Sequence, residues 1–395
     1  MDDALFGCLL AEYDIYNRRQ AGFRPDKLSL LCVPVCERRG NEGNRVLNFA
    51  DSVMDELVSV VILNFNGKDW IERCLGSVLA QDYAPLEVIV VDNGSADGSP
   101  ALIREKYKEA LLVENGKNLG YAAANNIGIR YAQGDYIVIM NNDTELEPRC
   151  IAMMKKAIDK DPRYGASASK IYLESEDDVL DAAGIVVFRD GLSIGRGRLE
   201  RGDFYDRQEE VFFASGCCFM ARKSMLEDIR LGNEYFDEDF FMYADDTDLG
   251  WRARLRGWKT VYTPQARLLH AHSAASGTYS ALKAFHVERN RIWIAVKYFP
   301  LDLLIYSQFY TLLRYFFQAY GALTGKGASG AFTTEHSRIR LLRVLGKVYV
   351  AAIKGLPKML AKRKEIRKRR LISCHDIHML MTLYGISAKE IAFKG

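Results

Sequence analysis

The stretch EVIVVDNGSADGS, residues 87–99, sets four β-branched residues ahead of Asp92 and places glycines at 94 and 98. A short apolar run that stops on a polar residue reads as a buried strand, and the glycines let the chain turn tightly at its carboxyl end. The signature recurs on both sides. VSVVIL (58–63), LLV (111–113) and YIVIM (136–140) are runs of the same kind, with Asn64 and Asn141 following the first and last. Between them lie helical spacings: Ile71, Leu75, Val78 and Leu79, then Ala122 to Ala132 with Gly134 just beyond. Strand alternating with helix predicts right-handed crossovers and a mostly parallel, Rossmann-like α/β sheet covered on both faces.

Working outward, Ile151, Met154 and Ile158 predict another helix, residues 184–202 a glycine-rich hairpin and loop, and VFFASGCCFMAR (211–222) a buried strand pair. A helix follows at about 246–256 and a strand at 259–262. The organised domain is therefore expected over 57–275, after a poorly defined N-terminal extension (1–56) and before a helical, aromatic and polybasic region (276–395). In the last of these, Lys297, Asp302 and Arg314 interrupt IWIAVKYFPLDLLIYSQFYTLLRYFFQAYGALTG (292–325) and leave apolar runs of 11 residues on either side of Arg314. A clean membrane span needs roughly 18 to 20, so an interfacial helix pair is expected instead.

The chain of 395 residues, 49% hydrophobic and 27% charged with 31 Gly and 9 Pro, is long enough for a large core and lies outside the disordered and collagenous classes. Its net charge of +3 hides a segment, KGLPKMLAKRKEIRKRR (354–370), that alone carries +8 and leaves the remainder at −5. One basic patch on a mildly acidic body argues against general nucleic-acid binding and for a local anionic contact. The eight cysteines form no CxxC pair, which suits reduced thiols and argues against zinc. MDDALFGCLLAEYD at the start carries acid where a secretory signal needs positive charge.

In open α/β sheets ligands bind beyond the carboxyl ends of the strands. That rule selects Asn64 and Asn66, then Asp92, Asn93 and Gly94, then Asn141, Asn142 and Asp143. Asp92 can accept hydrogen bonds from a nucleotide base or ribose, or simply begin an Asx turn. No GxGxxG or GxxxxGK[ST] follows any strand, so dinucleotide and P-loop readings fail. In IMNNDTELEP (139–148) the spacing is that of an Asp-x-Asp element with Asn141 in first place, and Asp143 is the hard oxygen donor for a divalent Mg or Mn; a helix cap is the plainer alternative. YADDTDLGWRARLRGW (243–258) crowds Asp245, Asp246 and Asp248 at a helix start. Crowding of this kind suits a proton acceptor, with Asp246 as base and Asp245 and Asp248 orienting it, although an acidic cap would look the same. His270 and His272, two apart, can face one site as ion ligands. Cys217 and Cys218 read as small core residues.

Taken in order, SVVILNFNG, VIVVDNGSADGS, NLGYAAANNIGI, YIVIMNNDTELEP, FFASGCCFMARK, FDEDFFMYADDTDLGWR and HAHSAAS resemble the successive blocks of family 2 glycosyltransferases, in particular their rhamnosyltransferase-like bacterial branch. The resemblance covers about 57–300 and implies a GT-A fold, a nucleotide-diphospho-sugar donor, a divalent cation and inversion at the anomeric carbon. It implies Asp92 as the base-binding residue, Asn118 and Asn125 among the donor contacts, Asp143 as the metal-binding end of Asp-x-Asp, and His270 or its rival His272 completing the metal shell. Asp246 matches the Asp of the family's Glu-Asp catalytic pair, with Asp245 where Glu is usual. Arg289 or Arg291 in FHVERNRIWIAVKYFP (285–300) could approach the diphosphate or form a surface ion pair. The acceptor would be a cell-surface glycan or lipid-linked hydroxyl, and the basic tail implies peripheral attachment to the anionic cytoplasmic leaflet of the inner membrane. Two departures stand out: Asn141 in place of Asp, and an N-terminal extension without family counterpart, for which an upstream translation start is the expectation. Two rivals are weighed: a nucleotidyltransferase, whose basic glycine-rich loop NFNGKDW (64–70) lacks, and a membrane-bound scaffold without catalysis, suggested by Asn141.

Overall fold

The computed structural model describes residues 56–272, 281–324 and 338–394. The expected extension, with Cys8, Cys32 and Cys36, and the end of the HAHSAAS block lie outside the described residues. The first half alternates as the sequence predicts: β1 (Val58–Asn64), α1 (Ile71–Leu79), β2 (Leu86–Asp92), α2 (Ser99–Lys106), β3 (Ala110–Glu114), α3 (Tyr121–Tyr131) and β4 (Tyr136–Asn141). β1 pairs in parallel with both β2 and β4, and β2 with β3, in registers that set Asn64 opposite Asp92 and Leu63 opposite Asn141.

Period-two alternation explains how the sheet is covered. Val60, Ile62, Val88, Val90, Val138 and Met140 face α1 and α4 (Cys150–Ile158), against Ile71, Leu75, Val78 and Met154. Val61, Ile89, Val91, Ile137 and Ile139 face the other way, into a core shared with Phe219, Trp251 and Trp293. Fully burying each such aliphatic side chain contributes about 1.5–3 kcal/mol.

The second half departs from expectation. β5 (Thr144–Leu146), β6 (Tyr164–Leu173) and β7 (Leu180–Ala182) precede a separate hairpin, β8 (Ile185–Val187) and β9 (Ser193–Gly195). β6 has no counterpart in the sequence reading because small and polar residues fill it. Ala166, Ser167, Ala168, Ser169 and Lys170 are all buried where a Val/Ile run would advertise a strand. The sheet order is β10-β12-β6-β11-β4-β1-β2-β3, with β10 (Glu209–Val211), β11 (Cys218–Arg222) and β12 (Lys259–His270). The expected strand pair at 211–222 is therefore two strands that do not pair with each other. β11 runs antiparallel between β4 and β6, so the sheet is mixed. β12, expected to end at Tyr262, continues to His270 through an irregularity in its register with β6 between Tyr262 and Arg267.

After α5 (Lys223–Ile229) and α6 (Asp245–Leu255), the C-terminal part supplies α7 (Ala281–Tyr298), α8 (Leu301–Thr324), α9 (Arg338–Arg369), α10 (Cys374–Leu383) and α11 (Ala388–Lys394). Of the expected interfacial pair, the first helix turns its second half into the core. Trp293, Ile294, Tyr298 and Phe299 are buried in the core, whereas α8 presents Leu301, Ile305, Phe309, Leu312, Phe316, Tyr320 and Leu323 outward at three- and four-residue spacing. No helix among the described residues is long and apolar enough to cross a membrane. α9 lies along α7 so closely that a Cβ on Gly355 would come 2.4 Å from the Trp293 ring.

Candidate active site

Because β11 is antiparallel to β4 and β6, its amino-terminal end lies on the same sheet edge as the carboxyl ends of β1, β2, β4, β6 and β12. Every acidic candidate but Asp248 is on this edge. At β1 and β2, the Asn64 amide donates to Asp92 Oδ1 (2.8 Å) and accepts from Asn142 Nδ2 (2.8 Å). The buried Asp92 carboxylate also accepts from Ser95 Oγ (2.5 Å) and from the Gly94 and Ser95 amides (3.1 and 3.0 Å), so it does form the Asx turn. Asn66, left-handed at φ 50°, accepts from the Ala96 amide. Gly67 is required here: a Cβ would lie 1.8 Å from Asn142 Nδ2. Asn93 donates to Asn118 Oδ1 (3.0 Å) and accepts from the Leu119 amide, which ties the β2 turn to the start of α3. Asn125 is wholly buried, donates to Tyr121 O within α3, and its Oδ1 is the single buried side-chain acceptor without a partner among the described residues.

Beyond β4, Asn141 is held through its backbone, its N–H donating to Cys217 O (3.0 Å). Asp143, 8% exposed, faces His270 at 3.4 Å from Nε2. The other imidazole nitrogen, Nδ1, meets Asp181 Oδ2 at 2.8 Å, and His272 Nε2 meets Asp181 Oδ1 at 2.9 Å. Arg198 pairs with the same carboxylate. Asp181 is the residue that the sequence reading missed. It lies on a three-residue strand with no motif spacing, and only the antiparallel pairing of β7 with β6 brings it to this edge. Burial alone would raise its pKa, but the two histidines and Arg198 hold it well below the usual carboxylate range. Burial would lower that of His270, yet Cys217, Asp143 and Asp181 raise it well above the ordinary value. Cys217 Sγ lies within 4.8 Å of ligand atoms of both Asp181 and His270, while Cys218 sits in the core as expected.

α6 begins without a capping side chain, since its N-cap is Ala244. The acidic-cap reading therefore gives way to a different arrangement. Asp246 reaches across to the residues just before β11, accepting from the Gly216 amide (3.0 Å) as well as the Thr247 amide. Tyr121 donates to Gly216 O at 2.6 Å. Gly216 and Cys217 thus join Asp246 on one side to Asn141 and His270 on the other. Burial raises the pKa of Asp245 well above the carboxylate range, reinforced by Asp246; burial raises Asp246 too, partly offset by its bonds from Gly216 and Thr247. Two buried carboxyls in neighbouring positions titrate as a unit.

Asp248 does not orient that pair. It turns into the core, where Lys297 pairs with both Asp248 and Asp237, Arg252 donates to it at 2.9 Å and Tyr298 at 2.5 Å. The two arginines of α7 are both engaged with protein groups. Arg289 donates to the carbonyls of Asp239 and Phe240, and Arg291 is buried with Glu288, Thr311 and Tyr315.

Residues 59–230 match the family described as Glycosyl transferase family 2. The chain is 30% identical over 263 residues to N-acetylglucosaminyl-diphospho-decaprenol L-rhamnosyltransferase of Mycobacterium tuberculosis (strain ATCC 25618 / H37Rv), covering 59% of this chain and 82% of that one. It is 28% identical over 221 residues to poly-beta-1,6-N-acetyl-D-glucosamine synthase of Staphylococcus aureus (strain MW2), across 55% of this chain and half of the synthase. Among solved structures, GalNAc-T7 with UDP, GalNAc and Mn2+ superimposes with a TM-score of 0.52 at 15% identity, over 66% of this chain and 51% of that one, a likeness of fold. With a GT-A-like sheet, the family's motifs gathered on one edge and a relative matched over four-fifths of its length, the chain belongs to glycosyltransferase family 2.

Proposed function

We propose that this glycosyltransferase moves a sugar, by its likeness to the mycobacterial enzyme a rhamnose, from a nucleotide-diphospho-sugar to a hydroxyl of a cell-surface glycan or lipid-linked acceptor. One observation carries the reading: Gly216–Cys217 brings Asp246 and the Asp143–His270 pair to the same edge. In a single inverting displacement, Asp246 takes the proton of the acceptor O–H as that oxygen bonds to the anomeric carbon. The bond from that carbon to the diphosphate breaks on the opposite face, and the nucleoside diphosphate leaves with the electron pair.

A divalent cation, Mg or Mn, fits the residues present. Asp143 offers a hard oxygen and His270 Nε2 an imidazole nitrogen, both buried, while Asp181 on Nδ1 fixes the ring as an outer-shell carboxylate does. His272, beyond the strand end with φ 52°, binds Asp181 instead. Asn141 supports this region through its backbone, so Asp143 is the only carboxylate that the former Asp-x-Asp spacing supplies. When bound, such an ion neutralises charge on the departing diphosphate.

The described C-terminal helices support peripheral attachment to the cytoplasmic leaflet of an anionic membrane. α8 exposes an apolar stripe, and α9 exposes Lys354, Lys364, Arg367 and Lys368. Hydrolysis and transfer across a panel of UDP-, GDP- and dTDP-sugars, dTDP-L-rhamnose included, with Mn2+ or Mg2+, tests the enzymatic reading. Asp246→Asn is expected to lower turnover at least 1,000-fold with donor binding within twofold; near wild-type turnover sinks the assignment.

A further inference from the structure

The segment that delivers Asp245 and Asp246 is strained. Phe241, Tyr243 and Ala244 have φ of 63°, 66° and 59°, three non-glycine residues in the left-handed region within four positions. Each is disfavoured for a side chain of this kind and persists only where its surroundings enforce it. No glycine eases the turn, and no side chain caps the helix it leads into.

One side chain enforces it. Asn290 of α7, wholly buried, directs its amide nitrogen at three carbonyl oxygens of this segment: Phe240 (3.1 Å), Met242 (2.9 Å) and Tyr243 (2.7 Å). Its Oδ1 accepts from Arg289 Nε at 2.9 Å, which fixes the amide with its donors toward the loop, and Arg289 Nη2 binds Asp239 O and Phe240 O. Phe241 stacks on His286, also of α7, and presses on Gly120 at the start of α3, where a Cβ would lie 2.5 Å from the Phe241 ring and carbonyl. The loop is thus clamped between α7 and the start of α3, and Asp246 emerges from it already bonded to Gly216.

We propose that Asn290 is a positioning residue for the transfer reaction: its amide holds residues 240–243 in the left-handed path that aims Asp246 at the acceptor. This rests on the reading of Asp246 as base. Removing the amide lets the loop relax toward ordinary φ and displaces the carboxylate. A shift of about 1 Å costs on the order of 100-fold in rate. The donor cradle at β1, β2 and β4 shares no hydrogen bond with Asn290, so donor affinity is spared.

In the full chain, Asn290→Ala is expected to lower kcat for dTDP-L-rhamnose hydrolysis with Mn2+ between ten- and 100-fold, with donor KM within twofold. Amide exchange at residues 242–246 should quicken at least tenfold while β4 is unchanged. Unaltered kcat, or a loss carried by KM, overturns the proposal. Should Asn290→Ala not fold, Ala244→Gly/Asn290→Ala takes its place, because glycine accepts positive φ without strain; the same kcat loss supports the proposal, and failure of both to fold assigns Asn290 to the fold and overturns it. The Asp246→Asn enzyme separates the two readings: normal turnover there defeats the base assignment, whereas a dead Asp246→Asn beside a fully active Asn290→Ala defeats the clamp alone.

Discussion

At the residue scale, Asp245 shows how catalysis and stability pull apart. Burial and its neighbour Asp246 raise its pKa above the unfolded value of 3.8, so the native state binds this proton more tightly than the unfolded chain. The associated stability is complete below pH 3.8 and is lost as pH rises through the elevated folded value. Asp245→Asn removes that loss. It should stabilise the protein by about 1 kcal/mol near neutrality, with the advantage over wild type shrinking to nothing below pH 3.8 in denaturant titrations. The same variant should lose at least tenfold in kcat, because the carboxyl neighbouring Asp246 goes with it. Asp92 and Asp143 were visible in the sequence because each follows a strong strand signal. Asp181 was not, since no run of apolar residues announces β7.

At the element scale, the junction of α6 with α7 is an ion cluster inside the core. Lys297 and Asp248 are each 1% exposed or less, and Asp237 is held well below the carboxylate range by Lys297 and Lys362 despite burial that would raise it. Removing the central cation leaves two carboxylates short of their partner. Lys297→Met should cost about 3 kcal/mol in chemical denaturation, with Asp237→Asn recovering part of it in the double variant. The sequence offered Lys297 as an interruption in an apolar run and Asp248 as a helper of Asp246. Their pairing needs α7 to cross α6, a contact 49 residues apart in sequence.

For the whole molecule, the polybasic tail is only partly a free surface. Lys362 pairs with Asp237 and Asp239, Arg363 donates to Phe299 O (2.6 Å), and Arg369 binds carbonyls near α5, while Met359 and Ile366 are in the core. Deleting 354–370 would therefore unfold α9 rather than report on attachment. The decisive variants lie on the outer face. Phe309→Ser/Phe316→Ser should reduce binding to phosphatidylglycerol vesicles about tenfold, and Lys364→Gln/Arg367→Gln/Lys368→Gln on the order of 100-fold at low salt, each cation near the surface contributing about 1 kcal/mol. Unchanged vesicle sedimentation in both sets would remove the membrane from the account.

The sequence by itself determined the sheet's first half, its strand ends and the family, because buried parallel strands are short, contiguous and strongly apolar, and their polar stops mark the ligand edge. Tertiary structure alone decided the rest. An antiparallel β11, a β6 made of small and polar residues, the meeting of Asp181 with His270 and the clamp of Asn290 on a left-handed loop all depend on pairings between segments distant in the chain. Local periodicity carries no record of those pairings, since the energy that selects them comes from burial and hydrogen bonds formed only once the layers close.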